Sequence, residues 1–381
     1  MTNSPPANVK IEDCQVLASG IDTLYLTLDV VWDDDTLFIE FDKLQEESRT
    51  KGYEVEGILK TLEGSKSWKF NMAPTGTKGG YTWILKSNDY LLKIVRLLNP
   101  CDRPGIKVEI RSETLWGIGA DKAVIWILEL IKGIGTTIIY IKVSRADLCL
   151  DMAIPANIWS PNIMDYVVTK ARDESNYKKI HSHFKGVDLG KGKIRNRIYN
   201  KPLEIAQKSE KFWMYNIWGL DQVPSDKVII RTEFQLNRDG LKELGIGQIV
   251  DLFEKDVNVW KYLTEEWLKF QDRPGDHHTQ RKTLQWWQAI KDGYKGSQGA
   301  VPAVRTKAVR NDRERLVVQM FGLLTSLQAA ELEDKSIEND CQVGIEDCLK
   351  TLYQELLRNR KYFEILNDRI KRKRPRYHRV S

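Results

Sequence analysis

Polar and apolar residues alternate along three short segments of the chain, 144–152, 195–201 and 228–237. Successive side chains of a β-strand point to opposite faces, so this alternation predicts three strands that each have one polar and one apolar face. The polar positions are Arg145, Asp147 and Asp151 in the first segment, Arg195, Arg197, Tyr199 and Lys201 in the second, and Arg231, Glu233 and Gln235 in the third. The wet face of an antiparallel sheet gives the same alternation. However, each segment here combines an acidic residue or a tyrosine with an arginine, which favours a functional site.

Shorter patterns along the first half of the chain predict an α+β fold with a largely antiparallel sheet and flanking helices. Strand-like runs cover 23–31, 81–86 and 108–111, and helices are predicted over 89–98 and 120–131. The glycine-rich stretch 76–80 is typical of a hairpin loop and lacks the Gly-Lys-Ser/Thr order of a nucleotide-binding loop.

The second half changes to helical periodicity. Apolar residues recur every three or four positions over 257–270, and two further apolar stripes over 309–327 and 345–370 predict a helical hairpin. These stripes suit packing within the chain or an interchain coiled coil. Trp286 and Trp287 are predicted to be core residues rather than base-stacking platforms.

The predicted organisation is a tail over 1–19, a catalytic domain over 20–250, a helical connector over 251–300 and an all-helical C-terminal domain over 301–381.

Composition limits the class of protein. The chain has 381 residues, of which 41% are hydrophobic, enough for a sizeable core. Its longest apolar runs are too short for a membrane span, and its N-terminus lacks a signal-peptide pattern. The five cysteines include no C-x-x-C pair, which is typical of reduced thiols. We therefore expect a cytoplasmic protein without a membrane partner.

Positive charge is concentrated in two places although the net charge is only +6. Ten lysines and arginines against three acids lie between Lys178 and Lys211, around Tyr199. The C-terminal tail adds seven cations over 369–379. A phosphate-rich polymer is the expected partner of both clusters, and an ordinary solvated surface or helix end is the alternative. The DNA-binding candidates are Arg145, Lys191, Lys193, Arg195, Arg231, Lys371, Arg372, Lys373 and Arg374.

The order SRADLCLD, GKGKIRNRIYNKPLE and IRTEFQL resembles the replication initiation factor family, which comprises the tyrosine-dependent rolling-circle initiators and relaxases of plasmids, phages and integrative elements. The resemblance covers about 20–246, and RIYNKPLE and RTEFQL are its most specific pieces. It implies that Tyr199 is the nucleophile and that Asp147, Glu204 and Glu233 hold a divalent metal, with Asp151 as a further ligand candidate. His181-Ser182-His183 imitates the His-hydrophobe-His metal motif of another rolling-circle class, but a solvated loop is the preferred interpretation.

The implied chemistry requires these residue types. An ordinary tyrosine is roughly one part in a thousand ionised at neutral pH, so a nucleophilic phenol needs nearby cations or a metal. Arg197 and Lys201 flank Tyr199 and are the other catalytic candidates. Carboxylate ligands favour Mg²⁺ or Mn²⁺. Because Pro202 requires the strand to end there or to lie at the edge of the sheet, Glu204 need not share the strand's polar face.

The sequence thus predicts metal-dependent, tyrosine-dependent nicking and strand transfer at a replication or transfer origin of a mobile element. The expected partners are single-stranded or supercoiled origin DNA, a host replication helicase and, through the C-terminal helices, a second copy of the chain. Two alternatives stay open: a non-catalytic DNA-binding protein on the same fold, and a metal nuclease that activates water without a covalent intermediate.

Overall fold

A computed structural model describes residues 9–61, 64–100, 103–171, 176–180, 183–272 and 281–296, together with Lys350 and Tyr353. The chain divides into two units, Met1–Pro302 and Ala303–Ser381. The predicted helical hairpin and the tail cations Lys371, Arg372, Lys373 and Arg374 lie outside the described residues, as do His181 and Ser182 of the histidine motif.

The first unit is built on a mixed α/β plan around a large antiparallel sheet. Its strands are β1 Gln15–Trp32, β2 Val55–Lys60, β3 Ser67–Met72, β4 Trp83–Lys86, β5 Tyr90–Ile94, β6 Ile106–Ile110, β7 Thr136–Pro155, β8 Val167–Thr169, β9 Asn176–Ile180, β10 His183–Leu189, β11 Ile194–Asn200, β12 Lys227–Asn237 and β13 Leu268–Phe270. Its α-helices are α1 Thr36–Lys51, α2 Ser112–Ile118, α3 Ala120–Gly133, α4 Lys201–Glu204, α5 Met214–Trp218, α6 Arg238–Glu243, α7 Ile249–Tyr262 and α8 Gln285–Gly293.

Eleven of these strands form one sheet in the order β2-β3-β4-β5-β6-β1-β7-β12-β11-β10-β9, and β13 pairs with β8 separately. The pairings are antiparallel, as the sequence predicts. The two long strands β1 and β7 form the middle of the sheet, and their register shifts at several bulges.

One face of the sheet carries the main core. Leu24, Leu26 and Leu28 of β1 are fully buried in the same core cluster as Ile127 and Leu130 of α3. At the β12 end of this face, edge-to-face aromatic contacts join Phe234 to Trp260 and Trp267. Aromatic pairs of this kind add to the burial of apolar area.

The opposite face is covered only in part. A smaller cluster on it joins Cys149 and Ala153 of β7 and Ile229 of β12 to side chains from α2, the segment after α4, and α5. These covering residues are Trp116, Ile205, Met214 and Trp218. As a result, the middle of β7 is buried on both faces, from Ala146 to Ile154.

Two predicted helices differ from the structure. The segment predicted as a helix over 89–98 contains β5, because Tyr90, Leu92 and Ile94 all turn inward while the strand pairs with β4 and β6. The apolar stripe over 257–270 begins in α7, but the helix ends at Tyr262 and the chain then passes through a π-helical turn into β13. The other predicted helix, over 120–131, is α3. Trp286 and Trp287 are buried, as predicted.

Candidate active site

The three segments singled out by alternation form neighbouring strands, with β12 between β7 and β11. In this register Glu233 lies opposite Arg197 on one side and Cys149 on the other, while Arg231 lies opposite Tyr199 and Asp151. Directly opposed residues of antiparallel strands share a face. The predicted polar positions of these strands therefore lie together on the partly covered face of the sheet.

Tyr199 and Glu233 are in direct contact on this face. The phenol Oη of Tyr199 donates a hydrogen bond to Oε2 of Glu233 at 2.9 Å, and the guanidinium of Arg197 donates to the other carboxylate oxygen. Burial, reinforced by the negative charge of Glu233, raises the pKa of Tyr199 well above its usual value. The phenol is therefore protonated at neutral pH, and its hydrogen bond is accepted by the Glu233 carboxylate.

Asp147 lies next to the Tyr199–Glu233 pair and contacts two arginines that are partly exposed to solvent. Both of its carboxylate oxygens accept hydrogen bonds from Arg145, at 2.8 and 2.5 Å, and Arg197 lies 3.8 Å away. Burial raises the pKa of Asp147 to about 6; the charge of Glu233 adds to this rise, and the hydrogen bond from Arg145 opposes it. The side chains of Arg145 and Arg197 keep 24% and 29% of their surface exposed, so their guanidiniums can reach an anion from solution.

Arg231 and Asp151 do not take the roles predicted for them. Arg231 is fully buried and binds both oxygens of Asp151, at 2.6 and 2.7 Å, so it cannot contact DNA phosphate. Asp151 is fully buried as well and accepts a further hydrogen bond from the indole of Trp218 at 2.8 Å. The pair is a structural ion pair beneath the small apolar cluster.

Lys201 and Glu204 lie just beyond the end of β11. Pro202 ends the strand as predicted, and α4 begins at Lys201 with Asn200 as its cap. The buried ammonium of Lys201 is 2.6 Å from Glu204 and 5.5 Å from the centre of the Tyr199 ring. Burial and the charge of Arg231 lower the pKa of Lys201. The Lys201 ammonium thus lies between the Tyr199 ring and Glu204, and Glu204 also accepts a hydrogen bond from Ser209.

The remaining described DNA-binding candidates border the site. Arg195 is partly exposed and pairs with Asp188 at 2.7 Å. Lys193 is exposed and pairs with Glu243, and Lys191 is exposed in the turn before β11.

The predicted carboxylates do not fit a metal site in this arrangement. Asp147 and Glu233 are separated by the guanidinium of Arg197, which contacts both, while Asp151 and Glu204 are engaged elsewhere. Across the described ranges, no three His, Cys, Asp or Glu side chains converge in a way that could hold an ion. The positive charge facing these carboxylates comes from arginine.

Two residues missed by the sequence reasoning shape the site. Asp22 lies where the β1–β7 register shifts between Ile21 and Thr23, and its carboxylate accepts a 2.7 Å hydrogen bond from Arg231. Bulges redirect side chains in this way, and strand parity cannot anticipate them. Gly186 lies opposite Tyr199 with φ +153°, and a Cβ there would be 2.8 Å from the Tyr199 Cα. Gly186 is the first glycine of GVDLGKG, residues 186–192, which precede the Tyr199 strand in the sequence.

Comparisons with protein-family models, curated proteins and solved structures found no match to this chain. In the described ranges, none of the helices has the length and apolarity needed to cross a lipid bilayer.

Proposed function

We propose that the chain nicks DNA and transfers the cut strand at a replication or transfer origin of a mobile element, with Tyr199 as the nucleophile. The observation that carries this proposal is the hydrogen bond from Tyr199 to Glu233 beside two partly exposed arginines. A nucleophile, a base and two phosphate-binding cations thus lie within one cluster, which is the set that phosphoryl transfer to a tyrosine requires.

In the proposed reaction, Glu233 accepts the phenolic proton while the Tyr199 Oη attacks the scissile phosphorus. The new Oη–P bond replaces the P–O3′ bond, and the 3′ oxygen takes up a proton from water. Arg197 and Arg145 neutralise the non-bridging oxygens, where guanidiniums bind in bidentate geometry. The phosphotyrosine keeps the bond energy, so the reverse attack by a 3′ hydroxyl can rejoin a strand.

Substrate binding activates the base in this scheme. In the free protein the Arg197 guanidinium contacts one carboxylate oxygen of Glu233, and Tyr199 donates a hydrogen bond to the other. A phosphate that competes for Arg197 weakens this pairing and leaves Glu233 free to take the proton of Tyr199. Proton transfer is therefore coupled to occupation of the site by DNA.

Mg²⁺ or Mn²⁺, with Asp147 and Glu233 as ligands, is proposed only from the family resemblance. The arginine between these carboxylates does not fit an ion, so no step above uses one. The proposed setting is the cytoplasm, with origin DNA and a host replication helicase as partners and a homodimer through the C-terminal helices.

One observation favours a second candidate, a non-catalytic DNA-binding protein. The raised pKa and partial burial of Tyr199 also suit a structural tyrosine that holds Glu233 in place. The two candidates differ in whether a covalent bond to DNA forms.

The test is adduct trapping with Tyr199→Phe, which removes the nucleophilic oxygen and keeps the ring. Tyr215→Phe is the matched control, because Tyr215 is a partly buried tyrosine whose ring makes an edge-to-face contact with Trp218. The substrate is a library of supercoiled plasmids that carries fragments of the element encoding the chain. We expect wild type and Tyr215→Phe to give a detergent-resistant adduct that maps to Tyr199, and Tyr199→Phe to give none. Nicks without any adduct would favour the water-activating nuclease, and binding without nicks would favour the non-catalytic protein.

A further inference from the structure

The polar face of the sheet continues from the candidate site into the N-terminal half of the chain. Beyond β7, the register aligns Lys142 with Thr27 of β1, Thr27 with Lys107 of β6, and Lys107 with Lys93 of β5. Residues aligned in this way share a face. Three lysines therefore form a row across four neighbouring strands, on the face that carries Tyr199. We call Lys93, Lys107 and Lys142 the lysine row.

The positive charge of the lysine row is only partly balanced by carboxylates of the described residues. Lys93 and Lys107 lie directly opposite each other, an arrangement that destabilises a sheet. Within the described residues neither ammonium pairs with a carboxylate, and Lys107 instead lies 4.9 Å from the ring centre of Tyr81. Lys142 pairs with Asp29 at 2.9 Å. An unbalanced row of this kind is expected where an anionic ligand supplies the missing charge.

A cleft opens at the Lys142 end of the row. It has a volume of about 320 Å³, and its lining includes Lys142, Arg103, Asn99 and the exposed Ile139. This volume is in the range of small-ligand sites. The lining also contains one carboxylate, Asp29, which the two cations outnumber. Cations, an amide and an apolar surface are groups that can bind a phosphate together with a base.

The lysine row also adjoins the candidate site. The next row along the same strands aligns Glu109, Tyr25 and Arg145, and the guanidinium of Arg145 lies 5.2 Å from the ring centre of Tyr25. Two residues along a strand correspond to about 7 Å. A flexible polyanion bound at Arg145 can thus continue directly onto the lysine row.

We propose that the lysine row and its cleft bind the backbone of a single DNA strand whose scissile phosphate lies at Tyr199, an inference that rests on the proposed function. The row spans about 14 Å, three strand spacings, which is more than one phosphate can occupy. The cations of this face and the partly buried ring of Tyr25 suit single-stranded DNA, which proteins bind by ionic contacts and base stacking.

The experiment measures salt-dependent binding of fluorescein-labelled oligothymidylate by fluorescence anisotropy. Lys93→Gln/Lys107→Gln removes two phosphate contacts and should make the slope of log K against log salt shallower by about 1.4. Lys43→Gln/Lys122→Gln is the matched control, since it removes two exposed lysines from α1 and α3 on the other side of the sheet. It should keep the wild-type slope, and Lys93→Arg/Lys107→Arg should keep it too.

The outcomes separate this inference from the proposed chemistry. A shallower slope in the glutamine variant alone supports the lysine row, even if wild type forms no adduct with any DNA. A wild-type slope in that variant overturns the lysine row, even if the Tyr199 adduct forms. Circular dichroism melting should show that the half-buried Lys93 and the exposed Lys107, like the exposed control pair, can be replaced with the fold intact.

Discussion

Replacing Arg231 by methionine should be among the most damaging single changes to this fold. Arg231 neutralises two buried carboxylates, binding Asp151 at 2.6 and 2.7 Å and Asp22 at 2.7 Å. Without the guanidinium, Asp151 keeps only the indole of Trp218 as a described donor. Breaking a buried ion pair by removing one partner costs about 3–5 kcal/mol, because the remaining charge stays buried.

The size of this effect makes it measurable by urea unfolding. A domain is typically stable by about 5–15 kcal/mol, so the expected loss is a large fraction of the total. Arg195→Met is the matched control, because Arg195 pairs with Asp188 at the same 2.7 Å but with 38% and 23% of the two side chains exposed. Exposed pairs contribute roughly 0–1 kcal/mol. Equal losses of unfolding free energy in the two variants would refute the structural role of Arg231.

Two further predictions concern the carboxylates of the site. The pKa of about 6 for Asp147 lies above its ordinary value of 3.8, so the folded state binds this proton more tightly. Wild type should therefore gain about 2 kcal/mol of unfolding free energy relative to Asp147→Asn as the pH falls from 7 to 4, measured by urea unfolding at each pH. A difference that stays constant with pH would contradict the raised pKa. Glu233→Gln should abolish the Tyr199 adduct while oligothymidylate affinity falls less than tenfold, and full adduct yield would remove Glu233 as the base. Adding EDTA to wild type in the same assay tests the proposed Mg²⁺ or Mn²⁺ requirement, which loss of the adduct and its return with added metal would support.

Strand alternation predicted which residues share a face, but not how deeply each is buried. Tyr199, Glu233 and Asp147 meet on one face because a period of two is a local property of the chain. The burial of Arg231 depends on Met214 and Trp218, which come from a separate helix laid over the polar face. No pattern within β12 encodes that cover, so Arg231 could not be distinguished from a DNA-binding arginine.

The wrong helix prediction at 89–98 has a related cause. Its apolar spacing suits a helix as well as a strand, and short apolar runs are ambiguous in this way. Pairing with β4 and β6 decides the outcome, since Tyr90, Leu92 and Ile94 then all reach the core. Longer patterns such as that of α3 carry enough repeats to be predicted directly.

The surroundings of Tyr199 include the buried ion pairs of Arg231 and the partly exposed ion pairs of Arg145 and Arg197. A one-residue slip of β12 would turn Arg231 into the apolar core, so its bonds to Asp22 and Asp151 oppose any such slip. The same register holds Glu233 beside Tyr199. Arg231 lies directly opposite Tyr199, and Glu233 is the next residue on the same face of β12. The buried pair of Arg231 and Asp151 therefore helps to hold Glu233 opposite Tyr199, although it contacts neither the phenol oxygen nor solvent. Its burial makes that register costly to change, whereas Arg145 and Arg197 remain partly exposed to solvent.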